Sequence, residues 1–192
     1  DIGRQLLAET AAYAETSVCR RKMLLHYFGE DYEPDNCHNC DNCLHPKTKF
    51  EAQHLLVMVL QAVQCLKENF RTDHVIDFLV GRETEEIVAH KQQNLELFGV
   101  GEKEQEKLWN PVIRQALIAG YLKKDVENYG LLKLTAAGKK FMKKPSSFMI
   151  VEDNEFGGDY DGPGDHEATT SALDPTLSAM LKDLRKKVSR RL

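Results

Sequence analysis

Cys37-His38-Asn39-Cys40-Asp41-Asn42-Cys43 crowds three thiols into one short run as C-x-x-C-x-x-C, and a fourth, Cys19, stands upstream. A tetrahedral Zn²⁺ takes four thiolates at about 2.3 Å; ligands two residues apart on a tight turn share one ion while the fourth arrives from a separate element. The run around Cys19, Ala14 to Leu25, reads as helix, whereas Pro34 to Cys43 is rich in Asn and Asp, which readily supply the backbone angles of a metal knuckle. The spacing therefore predicts that Cys19, Cys37, Cys40 and Cys43 clip a loop onto a helix around Zn²⁺. Four sulfurs close the shell, so the metal is structural rather than catalytic.

Other uses of these thiols fit less well. Disulfides need an oxidising compartment, and the N-terminus carries nothing like a secretory signal. A redox C-x-x-C opens a helix beside a strand, a pattern missing around Cys37. Iron–sulfur ligation by the same four thiolates is the chemical rival, separable by metal analysis. His26, His38 and His45 read as surface residues, and Cys65, in the apolar pattern of a later helix, as a buried free thiol.

The 192 residues suffice for one or two domains, and 42% hydrophobic content is ordinary for a globular chain. No run of about 18 apolar residues exists to cross a membrane. The net charge of −4 hides an uneven distribution. Residues 121–144 hold seven lysines against Asp125 and Glu127, while residues 151–165 hold six carboxylates and no base, which separates a basic patch from an acidic segment.

Helical spacing of Leu6, Leu7, Ala11, Ala14 and Val18, then Met23, Leu24, Tyr27 and Phe28, predicts two helices or one bent helix ending at Gly29. After Pro46 a second unit begins. Ala52 to Leu66 forms a long amphipathic helix; Thr72 caps a short one running to Gly81, and Thr84 opens another. Leu108 to Leu117 marks a further helix that either begins with Asn110 as cap or kinks at Pro111. Beyond Gly120 the period turns extended: Tyr121 to Val126 and Leu131 to Thr135 flank Glu127-Asn128-Tyr129-Gly130 as a hairpin, and Ala136 to Met142 closes the unit as a helix. Helices followed by a hairpin wing define a winged helix. The fold class is thus mainly α with a small β wing. Its segments are a zinc-binding subdomain (1–50), a winged helix (51–145), an acidic linker (146–173) and a helix (174–192) whose Leu177, Leu181, Leu184 and Val188 face a partner outside the chain.

The run Cys19-Arg20-Arg21-Lys22-Met23-Leu24-Leu25-His26-Tyr27-Phe28-Gly29-Glu30, the cysteine knuckle, and Leu97-Phe98-Gly99-Val100-Gly101 followed by Trp109 and Ile113-Arg114-Gln115-Ala116-Leu117-Ile118 together resemble RecQ-family DNA helicases over residues 1 to about 145. The resemblance implies the zinc-binding subdomain and winged helix of the RecQ C-terminal (RQC) region, with 174–192 looking like the opening of an HRDC domain. No G-x-x-x-x-G-K-[ST] loop occurs to hold ATP phosphates, so this segment is not a motor by itself. The resemblance places an ATP- and Mg²⁺-dependent 3′-to-5′ helicase core upstream in cis. It also implies a role in DNA recombination and repair, and a cytoplasmic, nucleoid-associated location if bacterial.

With the family as guide, Lys123, Lys124 and Lys133 on the wing are candidates to neutralise phosphates, and Tyr129 at its tip either stacks on the terminal base pair of a duplex or fork or packs on its own hairpin. Arg82 and Thr84 match a region that contacts phosphate in relatives, although Glu83, Glu85 and Glu86 surround them. Lys103, Lys107 and Arg114 lie near the groove-reading helix, where Arg114 alternatively forms an internal salt bridge. Arg20 and Arg21 read as a solvated helix face, and Trp109 as core. The competing function is a protein-docking winged helix. A free-standing transcription regulator would need an Arg/Asn cluster for base edges, which is not evident.

Overall fold

The computed structural model describes residues 2–125 and 128–154. The helix read for 174–192 and the linker from 155 onward lie outside the described residues. All described residues belong to one unit, 1–156.

The N-terminal part contains two helices, α1 (Ile2–Glu15) and α2 (Arg20–Tyr27), and a single turn α3 (Asp41–Leu44). Cys19 stands outside the helix expected for it: it is the N-cap of α2, with φ −47° and ψ 122°, because the chain breaks between Thr16 and Cys19. Gly29, at φ 80°, ends α2; its N–H bonds the His26 carbonyl at 3.0 Å and the Glu30 N–H bonds that of Leu25 at 2.9 Å. Only a residue without Cβ takes that left-handed stop cheaply. Among the described residues up to Lys49, only Thr16 and Cys19 are buried. This part has no hydrophobic core.

The second part is built on one. After the two-residue strand β1 (Phe50–Glu51), α4 (Gln53–Cys65) buries Leu55, Leu56, Val59, Leu60, Ala62 and Val63. Packed around it are α5 (Thr72–Val80), α7 (Trp109–Ile118) and α8 (Ala136–Lys143), with the short helix α6 (Glu85–Ala89) between α5 and α7. Thr72 is the first residue of α5 rather than its cap, which is Arg71; Thr84 does cap α6, its Oγ1 accepting the Ile87 N–H at 3.3 Å. Pro111 is the third residue of α7, within the first turn whose N–H groups lack intrahelical partners, so no kink results. Gly120 at φ 74° ends α7 and launches the wing, β2 (Leu122–Asp125) antiparallel to β3 (Leu131–Leu134). Cys65 is a half-buried rather than a buried thiol.

Leu97-Phe98-Gly99-Val100-Gly101 docks on the end of α5. The Gly99 and Gly101 N–H groups bond the Phe78 and Leu79 carbonyls at 2.9 and 2.8 Å. Trp109, fully buried as core, lies against Gly101 so closely that a Cβ there would enter its ring.

Residues 146–154, expected as the start of the linker, are instead part of the fold. The strand β4 (Met149–Ile150) pairs with β1, and Phe148, Ile150 and Val151 are buried. Gln115 of α7 holds Val151 on both sides, its amide donating to the carbonyl at 2.8 Å and accepting the N–H at 3.1 Å. A two-residue strand is too short to display a period, so the sequence pattern conceals it.

Gly101→Ala is expected to destabilise the fold by about 1–3 kcal/mol through overpacking against Trp109. Urea unfolding checks this; an unchanged midpoint would show that the indole yields freely.

Candidate metal centre and nucleic-acid interface

The sulfurs of Cys19, Cys37, Cys40 and Cys43 all lie within 4.8 Å of one another. A tetrahedron with Zn–S bonds of about 2.3 Å has edges of about 3.8 Å, so small movements suffice to close the four on one ion. Backbone donors already point at the sulfurs: the Cys37 N–H at Cys43 Sγ (3.3 Å) and the Cys40 N–H at Cys37 Sγ (3.4 Å). These bonds favour thiolates. The Cys40 N–H, with help from that of Asn39, draws the Cys37 thiol down to about 6, whereas burial pushes Cys43 up to about 12. The donor set fits a structural zinc, with a half-buried Cys43 thiol that must give up its proton on binding.

Side chains around the knuckle tie it to the rest of the unit. Asn42 donates its amide to the Thr16 and Val18 carbonyls, both at 2.8 Å. Arg20 grips the Asp41 carboxylate with two N–H groups at 3.0 and 2.8 Å, and also donates to the Tyr13 and Ala14 carbonyls. Arg20 is thus a structural strut, not a solvated residue. Arg21 is hydrogen-bonded to Tyr32. Asp35 accepts from Lys22 and Lys49 at 3.0 and 3.2 Å, which holds its carboxyl below the usual range. Asn154, from the stretch read as linker, donates its N–H to Glu15 at 2.7 Å and its amide to Thr16 at 3.2 Å, while Ser17 Oγ donates to its Oδ1 at 3.1 Å. Both asparagines close on the same break between α1 and α2.

The nucleic-acid candidates separate into two groups. Lys123 and Lys133 face each other across the wing. Like charges directly opposite destabilise a sheet, so stability does not account for the pair. Neither makes an ion pair with another described residue, although Asp125 shares their face and its carboxyl is lowered chiefly by the Asn128 amide. Tyr129, at φ 58°, is 71% exposed, so it is not packed on its own hairpin.

The others are engaged within the protein. Lys124 lies on the opposite face of the wing from Lys123 and reaches Glu9 of α1 at 3.4 Å. Arg82 is held by Asp77 and Glu106 at 2.5 and 2.7 Å, and the Thr84 hydroxyl caps α6. Lys107 approaches Glu152 at 3.8 Å. Arg114 is largely buried against Asp153 at 2.7 Å, the internal salt bridge that was its alternative reading. Burial pushes the Asp153 carboxyl up, and Arg114 opposes that shift. Lys103 is exposed.

A helical subdomain carrying a four-thiol cluster and followed by a winged helix defines the class of fold. The RQC domain model matches residues 46–157, more than half of the chain, and the RecQ zinc-binding model matches residues 1–44. The chain belongs to the RQC domain family and carries the zinc-binding and winged-helix parts of a RecQ-type C-terminal region. It is 31% identical over 147 residues to the ATP-dependent DNA helicase RecQ of Haemophilus influenzae, an alignment covering 74% of this chain and 23% of that protein. For the RecQ of Pasteurella multocida the values are 30% over 132 residues, 68% and 21%, and for that of Bacillus subtilis 29% over 94 residues, 49% and 16%. The chain spans under a quarter of the length of these relatives. Among the described residues no helix is long and apolar enough to cross a membrane.

Cys40→Ser is expected to abolish stoichiometric zinc and to melt α1 to α3, since structural zinc supplies on the order of 10 kcal/mol of folding free energy. Metal analysis with far-UV circular dichroism checks this; retained helicity without zinc would contradict it. Because burial favours the thiol form of Cys43, zinc uptake should release protons, and zinc affinity should fall as pH is lowered. Titration in two buffers of different ionisation enthalpy measures that release, and zinc uptake without proton release would refute the assignment.

Proposed function

We propose that this chain is the DNA-binding and structural module of a RecQ-like ATP-dependent 3′-to-5′ DNA helicase acting in recombination and repair. Zinc sets the platform, and the wing engages duplex or forked DNA. The observation that carries this reading is the outward face of the wing: Lys123 opposite Lys133, leading to the exposed ring of Tyr129. Lysines not paired with carboxylates take phosphates as counterions, giving affinity without sequence preference. An exposed aromatic at the end of that track offers a stacking surface to the last base pair of a duplex, which stabilises an opened junction.

The phosphate-binding role rests with Lys123 and Lys133, since Lys124, Arg82, Lys107 and Arg114 already face carboxylates within the chain. In the whole protein, the module accompanies a helicase core in cis that binds ATP and Mg²⁺, and the segment from 174 onward leads into an HRDC domain. The names of the relatives, ATP-dependent DNA helicases, support this placement. The exposed apolar residues Leu24, Tyr27 and Phe28 on and just beyond α2 suit contact with such a core.

Lys123→Glu and Lys133→Glu are each expected to weaken binding to forked and blunt duplex DNA alike, and to reduce the slope of log affinity against log salt by about 1 per lost phosphate contact. Fluorescence anisotropy at several salt concentrations provides the test. Unchanged affinity in both variants would favour the protein-docking alternative.

A further inference from the structure

The loop between α4 and α5 is fastened to the wing by one backbone and one side-chain hydrogen bond. Lys67 and Glu68 both take left-handed backbone angles of φ 56°, turning the chain back along β3. The Leu132 N–H then bonds the Phe70 carbonyl at 3.0 Å, and the Leu134 N–H bonds the Glu68 carboxylate at 3.0 Å. Phe70 is half-buried and stacked on buried His74 with ring centroids 4.0 Å apart, while its neighbours Asn69 and Arg71 are exposed. Those two line an open cleft of about 420 Å³ together with Asn128, Tyr129 and Leu131 at the wing tip.

The cleft is preformed on both sides. Its loop wall is fixed by the bonds to β3, and its tip wall by Asn128, whose backbone N–H and side-chain amide both donate to Asp125, at 3.3 and 2.8 Å. Arg71 differs from three other arginines of this protein. Arg20, Arg82 and Arg114 are each neutralised by carboxylates, whereas Arg71 makes no ion pair with another described residue. Nor does the Asn69 side chain form a hydrogen bond within the described part. A guanidinium and an amide without side-chain partners among the described residues, and an exposed phenol ring, thus converge on one open cleft.

We propose that this cleft holds one unpaired nucleotide at the boundary between single strand and duplex, with Arg71 on its phosphate, Asn69 on the base edge and Tyr129 stacked on the base. The guanidinium fork matches two phosphate oxygens, the Asn69 amide offers a donor and an acceptor to a base, and the tyrosine face accepts any base. An acidic peptide would use the cation alone and leave the ring and amide without a role. The inference rests on the wing reading above and adds a subsite that distinguishes forked from fully paired DNA.

The test compares the zinc-loaded chain with its Arg71→Ala and Asn69→Ala variants on two fluorescent probes of equal duplex length, one blunt and one with unpaired arms. Arg71→Ala is expected to weaken binding to the forked probe by on the order of tenfold, with the blunt probe within about twofold of wild type; Asn69→Ala should show a smaller loss confined to the fork. Melting temperatures should not move, because neither side chain has a partner to lose among the described residues. Equal loss on both probes would make Arg71 a general phosphate contact and overturn the subsite, as would no loss on either. Displacement of the forked probe by polyglutamate that disappears in Arg71→Ala, with no fork-specific loss, would assign the cleft to acidic peptides instead. Failure of the wild-type chain to bind either probe would overturn the wing reading itself, a result distinct from wild-type binding that Arg71→Ala leaves intact.

Discussion

Four sulfurs converging from Cys19 and the Cys37–Cys43 knuckle are the constraint on which residues 1–49 depend, because that part has nothing else of comparable strength to fold around. Apart from Thr16 and Cys19, no residue before Phe50 whose side chain is described is buried. A stretch of this size without a core does not recover the conformational entropy of ordering its backbone from surface hydrogen bonds and exposed ion pairs alone. A metal bound to four thiolates supplies that free energy from one point. The winged helix is organised differently: its core, centred on α4 and Trp109, is a continuous cluster of buried apolar side chains.

The two parts meet at the break between α1 and α2. Asn42 arrives there from the knuckle and Asn154 from the end of the fold, both bonding Thr16. Placing the knuckle therefore also places α1, and through the Glu9–Lys124 pair it reaches the inner face of the wing. The outer face is left to Lys123 and Lys133. One side of the hairpin serves assembly and the other is free for a partner. The division follows from the alternation of a strand.

Much of this organisation was legible in the sequence. The cysteine spacing announced the metal, helical periodicity located α1, α2, α4, α5 and α7, and the switch to extended period after Gly120 located the wing. Three features were not. The pairing of β1 with β4 joins two-residue strands far apart in sequence, below the length at which a period is visible. The fate of each basic residue depends on partners distant in the chain: Arg20 meets Asp41, Arg82 meets Glu106 and Arg114 meets Asp153 at separations of 21, 24 and 39 residues. Sequence charge shows where cations are, but tertiary structure decides which remain unspent. Arg71, unremarkable in its local context, stands out only once the others are seen to be engaged and the loop carrying it is found beside Tyr129.

Hydrogen exchange followed by mass spectrometry, on the zinc-loaded chain and after chelation, tests most directly the claim that metal takes the place of a core in residues 1–49. The account predicts that chelation strips protection from amides of α1, α2 and the knuckle, while amides of α4, α5 and α7 keep theirs. Undiminished protection in α1 and α2 without metal would contradict it, as would simultaneous loss across the winged helix.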